Sequence, residues 1–352
     1  IQKSIHMKKL ILLVASLFFL ITQLIGKEKI NYELYSVAFY NVENLFDTIP
    51  EPNDHEYTPT GAMQWDSKKY WAKMKNMSYA ISKIGSNLSP IGPSILGLAE
   101  VENRSVLEDL VKQEAIKHIN YQIIHIDGGD PRGVDCALLY NPRDFYVTNV
   151  KSYPYYTSSD SSRRSRDQLV VSGILSGEEI HVIVNHWPSR RGGEVNSRPR
   201  RVAAAQLTKH IADSILTIDK NAKIIIMGDL NDDPINESVK DVLNAKQKKS
   251  ETPEGGLYNT TWELYNKGIG SLAYGDAWNL FDQIIVSSGL IGKDKTELTF
   301  WKAEIFQAPF LIRQEGQYKG YPFRTHAGGV YQNGYSDHFP SIIYLIKRID
   351  NK

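Results

Sequence analysis

The stretch Ile224-Ile225-Ile226-Met227-Gly228-Asp229-Leu230-Asn231 decides the fold class. Four apolar residues in a row read as a buried strand, and that strand runs straight into a polar cluster. Upstream, 202–216 reads as an Ala-rich helix. Before it, 180–184 reads as another apolar strand, followed by Asn185-His186-Trp187-Pro188. Further strands are expected at 35–40, 95–98, 121–126, 134–140, 145–150, 169–175, 284–286 and 342–345. Asp66 is placed to cap a long helix whose apolar stripe is Trp71, Met74, Met77, Ile81, Ile84 and Leu88. Ser105 and Glu108 have capping-box spacing ahead of Val106, Leu107, Leu110 and Val111, and Glu102 and Asn103 are placed to cap the same helix. The stretches 158–165 and 246–256 read as loops. Many strands with a few long helices imply a layered α/β architecture in one domain.

Composition narrows the class. The chain has 352 residues, 41% of them hydrophobic and 23% charged, with a formal net charge of +1. Those fractions exclude wholesale disorder. One cysteine, Cys136, excludes a disulfide framework and a cysteine-based zinc cluster. Met7-Lys8-Lys9 precedes an almost unbroken apolar run over 10–21, the pattern of a secretory signal peptide and shorter than the ~20 residues of a membrane span. The six residues before Met7 read as upstream sequence. The expected organisation is a leader and signal peptide over 1–26 and one domain over 27–352, secreted or periplasmic. Removing 1–26 takes away Lys3, Lys8 and Lys9 and no acid, so the mature chain turns slightly acidic. Contact with a polyanion must then be local rather than a matter of bulk charge.

Five apolar strands end in polar clusters. In order these are Asn41-Val42-Glu43-Asn44, Glu100-Val101-Glu102-Asn103, Asn185-His186, Asp229-Leu230-Asn231 and Ser336-Asp337-His338. Ligand sites in α/β sheets collect at such strand ends. Carboxylate and amide oxygens are hard ligands suited to Mg²⁺ or Mn²⁺. Two histidines beside them supply acid and base groups that can be tuned near neutrality. Neither a nucleophile elbow nor a P-loop signature is present. Metal-assisted attack of water on a phosphoester is the simplest class that uses these groups.

Taken in order, and with Phe281-Asp282-Gln283-Ile284, the clusters resemble the endonuclease/exonuclease/phosphatase superfamily. That superfamily includes pancreatic deoxyribonuclease, abasic-site endonucleases, inositol polyphosphate 5-phosphatases and neutral sphingomyelinases. The resemblance covers 35–344. It implies a four-layer α/β sandwich, two mixed β-sheets face to face flanked by helices, with one or two divalent metals, Mg²⁺ or Mn²⁺, at one edge. By the same resemblance Glu100 is the main metal-binding glutamate, supported by Asn41, Glu43 and Asp337. Asp229 and Asn231 position the attacking water and the phosphate, His338 is the catalytic histidine, and Asp282 orients it. His186 is the second histidine of deoxyribonuclease-like and phosphatase members. Abasic-site endonucleases carry Tyr there, which argues against a dedicated abasic-site enzyme. Asp135 is placed either to orient His186 or to cap a turn.

The substrate is expected to be a phosphoester, DNA or RNA among the candidates, bound by a monomer with no stable protein partner. Arg190 and Arg191 lie close after His186 and are expected to bind substrate phosphate, since arginine forks fit phosphate bidentately. Arg163, Arg164 and Arg166 form a second basic cluster. The leading expectation is an endonuclease-type phosphodiesterase. Alternatives are a phosphatase or phospholipase-like hydrolase of inositol phosphates, sugar phosphates or sphingomyelin, and a non-catalytic phosphate-binding module. A sphingomyelinase calls for an exposed apolar hairpin; the nearest stretch, 308–312, reads rather as a strand or core segment.

Overall fold

The structure, a computed structural model, describes residues 31–52, 56–157, 163–292 and 294–349. The expected leader over 1–26 lies outside the described residues. Contacts group the chain into a body, Leu34–Lys347, and a unit of the two terminal segments, of which 31–33 and 348–349 are described. Every site residue discussed below belongs to the body.

The elements alternate as the apolar pattern predicts. They are β1 (Asn31–Leu45), α1 (Ser67–Lys83), β2 (Ile95–Val101), α2 (Arg104–Val111), β3 (Gln122–His125), β4 (Asp135–Tyr140), β5 (Phe145–Tyr153), β6 (Gln168–Leu175), β7 (Glu178–His186), α3 (Glu194–Ile218) and β8 (Lys223–Asp229). There follow β9 (Ala245–Lys246), β10 (Leu257–Asn259), α4 (Trp262–Asn266), β11 (Leu272–Tyr274), β12 (Ala277–Asn279), β13 (Asp282–Ser287), β14 (Thr299–Ile305), β15 (His326–Ala327), β16 (Val330–Tyr331) and β17 (Ser341–Ile349).

One sheet runs in the order β14-β17-β1-β2-β4-β3, the other β5-β6-β7-β8-β13-β10-β9. Both are mixed: β1–β2 and β7–β8 are parallel, whereas β2–β4 and β8–β13 are antiparallel.

Residue parity along the strands sorts the side chains into layers, because successive side chains point to opposite faces. Val37, Phe39, Val184, Met227, Ile284 and Ile343 share the core between the two sheets. Ala38, Tyr40 and Leu98 instead meet Met74, Met77 and Ile81 of α1 and Leu107 of α2. Ile183, Ile224 and Ile226 meet Ala204, Ala205 and Ile211 of α3. The result is helix, sheet, sheet, helix: the four-layer α/β sandwich. At Gly97 the sheets approach so closely that a Cβ would lie 2.5 Å from Met227 Sδ.

Local chemistry departs from expectation in three places. Of the caps expected for α2, Asn103 is the one formed, its side chain accepting from Val106 N, and the Ser105–Glu108 box is not. The stripe on α1 is rotated: Trp71 is exposed, Leu88 lies past the helix end, and Tyr70 and Lys73 join Met74, Met77 and Ile81 on the buried face. Helix α3 begins at Glu194, ahead of the expected 202, despite Pro199. The polar first turns are held by tertiary pairing, since Arg201 is wholly buried and its Nε lies 2.7 Å from Asp232 Oδ1. Segment 308–312 contains a short 3₁₀ turn, Pro309–Leu311, with Leu311 packed into the α1 side of the core. No helix among the described residues is long and apolar enough to cross a membrane.

Candidate active site

The parity that fills the inter-sheet core also builds the site. Asn41 follows Phe39 by two residues on β1, His186 follows Val184 on β7, and Asp229 follows Met227 on β8. Asp282 precedes Ile284 by two on the antiparallel β13. Each therefore shares the inter-sheet face of its apolar neighbour and stands at one mouth of the seam. Glu100 reaches the mouth differently. The β2 register shifts between Ala99 and Val101, and Glu100 adopts φ 66°. This bulge turns its side chain out of the strand's regular alternation. Glu43, Asn44 and Asn231 also have positive φ, so the backbone at the mouth is held in the left-handed region at several residues.

His338 arrives from the loop before β17. Its Nδ1 lies 2.6 Å from Asp282 Oδ2, and its Nε2 lies 3.9 Å from Asp229 Oδ2 and 3.8 Å from Asp337 Oδ1. Asn41 Nδ2 donates to Asp229 Oδ2 at 3.1 Å, and Asn231 N donates to Asp229 Oδ1 at 3.0 Å. His186 Nε2 stands 3.6 Å from Asp229 Oδ2 and 3.8 Å from Glu100 Oε1. The structure thus brings together Asn41, Glu100, His186, Asp229, Asn231, Asp282, Asp337 and His338. Ser336 Oγ donates to Asn41 O at 2.6 Å, which ties the His338 loop to β1.

The two histidines are pushed in opposite directions. Burial opposes the charge on His338, but the carboxylates of Asp282, Asp337 and Asp229 outweigh it and hold the imidazole well above its usual range. Burial lowers His186 well below that range, helped by Arg166, Arg132 and His338 itself. Burial also raises Asp229 to about 7; His338 pulls it down, and Asp282 and Glu100 push it up. The packing therefore drives the two histidines in opposite directions and tunes the Asp229 carboxyl toward neutrality. Environments that separate the pKa values of neighbouring groups mark acid and base roles.

A divalent cation fits this donor set. Glu100 and Asp337 are partly exposed carboxylates at the mouth, and with Asp229 and Asp282 they gather the negative charge that such an ion would offset. Glu43 takes another job. Its carboxylate accepts from Thr325 N at 2.6 Å and His326 N at 3.1 Å, and burial raises it to about 7. It thereby tethers the 323–336 segment, with buried Lys73 donating from the other side to Thr325 Oγ1 and Tyr335 O.

Arg190 also differs from expectation. Its Nη2 bonds Asp232, Asp233 and Asn236, its Nε donates to Asn231 O, and its guanidinium lies 4.5 Å over Phe281. These partners brace the Asp229–Asn231 loop, while the side chain also lines the cleft beside Arg191. Arg191 stays exposed beside a cleft of about 680 Å³ lined also by Leu272, Tyr274 and Phe281. Arg190→Ala should therefore lower kcat and stability, whereas Arg191→Ala should raise KM with kcat nearly unchanged. Steady-state kinetics and thermal melts separate the two, and equal kinetic effects would refute the division.

Asp135 neither orients His186 nor caps a simple turn: it accepts from Gly128 N and faces His125. Three further cations support the site, of which only Arg166 was singled out from the sequence, as part of the second basic cluster. Arg132 holds Nη1 4.0 Å from Glu100 Oε1. Buried Arg166 donates to the His186 and Trp187 carbonyls. Lys73 had a signal, a cation in the middle of an apolar helical stripe, and Arg166 had one in its basic cluster; Arg132 sits in a loop with none.

A four-layer sandwich whose seam opens on carboxylates, amides and a carboxylate–histidine pair is the architecture of phosphoester hydrolases. A profile of the endonuclease/exonuclease/phosphatase family matches residues 36–347, and the chain belongs to that family. Its members are in general phosphoester-cleaving hydrolases that use divalent metal. No curated protein matches the chain. Among solved structures it is similar to TDP2 from C. elegans, at 16% identity over 89% of this chain and 75% of that one, TM-score 0.53. It is also similar to D. rerio TDP2 complexed with single-strand DNA product, at 14% identity over 89% and 99%, TM-score 0.52. The human Nocturnin catalytic domain with bound sulfate anion matches at 16% identity over 91% and 98%, TM-score 0.53. At these identities the likeness concerns the fold.

Proposed function

We propose that the protein is an exported, divalent-metal-dependent phosphodiesterase that hydrolyses nucleic-acid phosphodiester bonds. The observation that carries the chemistry is the 2.6 Å His338–Asp282 pair facing Asp229 across the seam, with His338 favoured in its charged form and His186 in its neutral form by their surroundings. Asp229, oriented by Asn41 and the Asn231 amide, takes the proton of the attacking water. His338, kept cationic by Asp282, stabilises the negative charge that builds on the phosphoryl oxygens. His186, neutral, accepts or donates a hydrogen bond without adding charge. A divalent ion held by Glu100 and Asp337 would supply charge neutralisation on the phosphoryl group.

Exposed aromatic surface favours a nucleic acid over a small phosphate ester. Trp278 stacks on Phe339, the residue after His338, at 6.1 Å with 9° between the planes, and Tyr274 stands exposed at the tip of the same β11–β12 hairpin. Aromatic faces beside a backbone-cleaving centre suit base stacking. The similarity to D. rerio TDP2 in complex with single-strand DNA product agrees with that reading. The test is a panel of single- and double-stranded DNA, RNA, inositol phosphates and sphingomyelin, with Mg²⁺, Mn²⁺ or chelator. Turnover of nucleic acid at least tenfold above the other classes is expected; preference for inositol phosphates or sphingomyelin would replace this reading. For export, N-terminal sequencing of extracytoplasmic material should begin within a few residues of Lys27, and protein retained in the cytoplasm with Met7 would refute it.

A further inference from the structure

Beside the catalytic mouth, the loop between β3 and β4 folds back on itself around a second cluster. His125 at the end of β3, Asp127 in the loop and Asp135 at the start of β4 each offer one ligand atom within 4.8 Å of the others. The His125 side chain is only 2% exposed, and its Nε2 has no hydrogen-bond partner. That orphaned nitrogen lies 3.4 Å from Asp135 Oδ2. Such a separation is long for an N–H···O bond, which prefers 2.7–3.2 Å. It is close to the spacing of two atoms that each sit ~2.0–2.1 Å from one tetrahedral ion. Asp127 Oδ1 lies 3.6 Å from the other ring nitrogen, Nδ1, so Asp127 enters the site as a carboxylate within 4.8 Å of the His125 and Asp135 ligand atoms and not through that contact. A buried imidazole nitrogen left unpaired is unfavourable unless something else occupies its lone pair.

The surroundings select a cation. A cleft of about 660 Å³ at this loop is lined by Asp47, Asp127, Asp130 and Asp135 against the single cation Arg104. Asp130 is already paired, with Arg166 and Arg132, whereas among the described residues the Asp135 carboxylate takes the Gly128 amide besides facing His125. Gly128 lets the loop come close to the carboxylate: a Cβ there would stand 2.2 Å from Asp135 Oδ1 and would displace it.

We infer that His125, Asp127 and Asp135 form a second metal site, separate from the Glu100–Asp337 pair, for a first-row divalent transition cation of the Zn²⁺ or Mn²⁺ type. One imidazole nitrogen and two carboxylate oxygens make a mixed donor set that disfavours Mg²⁺ and Ca²⁺, which prefer all-oxygen shells. Three protein ligands leave the remaining position to water. The site has a structural consequence. The same loop carries Arg132, whose guanidinium reaches both Asp130 and Glu100, so an ion that pins His125 to Asp127 and Asp135 also fixes the cation nearest the catalytic glutamate.

The test measures bound metal and does not depend on turnover. The full chain and a Glu100→Gln/Asp337→Asn variant are incubated with Zn²⁺ or Mn²⁺, and binding is read by titration calorimetry and by metal analysis after desalting. The double variant should retain about one equivalent. Adding Asp127→Asn, at a side chain 87% exposed where folding is not at risk, should weaken that binding at least tenfold. Adding His125→Gln should remove it. The ion should also raise the melting temperature of the double variant, and Asp127→Asn should abolish that rise. Retention of no metal by the double variant, undiminished binding after both Asp127→Asn and His125→Gln, or tighter binding of Ca²⁺ or Mg²⁺ than of Zn²⁺ and Mn²⁺ would each overturn the assignment.

Discussion

His338→Ala should lower kcat by about 10²–10⁴-fold, the range for removal of a positioned acid or base. The expectation rests on a short contact. The Nδ1 of His338 lies 2.6 Å from Asp282, and that carboxylate is wholly buried at the start of β13. Asp282 acts mainly through the imidazole it contacts, so Asp282→Asn should cost less than His338→Ala alone and add little on top of it. A double-mutant cycle in kcat measures this, with circular dichroism checking the fold. Additive losses, or a His338→Ala enzyme within a few-fold of wild type, would remove the pair from the chemistry.

The pH profile offers a sharper reading of the same pair. Asp282 is among the carboxylates that hold His338 above its usual range, so neutralising it lowers the imidazole pKa. In Asp282→Asn the limb of the kcat/KM profile set by His338 should move to lower pH. A purely structural role for Asp282 would leave that limb in place. Stability follows the same sign. A pKa raised on folding contributes stability that is complete below the unfolded value of ~6.5 and is lost as pH rises through the folded value. Thermal melts of Asp282→Asn should therefore fall furthest below wild type on the acid side of neutrality.

Glu100→Gln is the second large effect. The amide keeps the acceptor that Asn44 N uses at 2.9 Å, so the strained bulge of β2 should survive. The charge that would hold a divalent ion is lost. Turnover should drop by about 10²-fold or more, the scale of deleting one preorganised charge-stabilising group. The remaining activity should need a higher Mg²⁺ or Mn²⁺ concentration. Chelator should abolish wild-type activity, and added metal should restore it. Undiminished activity after exhaustive chelation, or an unchanged metal requirement in Glu100→Gln, would contradict the proposed role.

Much of the architecture was legible in the chain because it depends on local periodicity. Ile225 and Met227 face the inter-sheet core while Ile224 and Ile226 face α3, and the same alternation carries Asp229 to the mouth. The Asp66 cap was legible for a similar reason, since a helix N-terminus needs an acceptor within a few residues. The ordered succession of polar clusters pointed to a phosphoester hydrolase, because residue type and strand-end position are both properties of the sequence.

Other features exist only in three dimensions. Glu100 reaches the site through a bulge whose positive φ no pattern announces. Arg190 looked like a phosphate ligand until folding placed two carboxylates and an asparagine 42 to 46 residues away against its guanidinium. His338 and Asp282 are 56 residues apart in the chain and 2.6 Å apart in space. His338 and His186 are the same side chain, yet one is driven up and the other down, because a pKa follows the burial and charges of its surroundings. The sequence by itself determined which faces the strands bury and which residues gather at their ends. Tertiary structure decided which of those residues meet, which cations are already paired, and which histidine is charged, since contact distance and desolvation are set by the packing of distant segments rather than by neighbours along the chain.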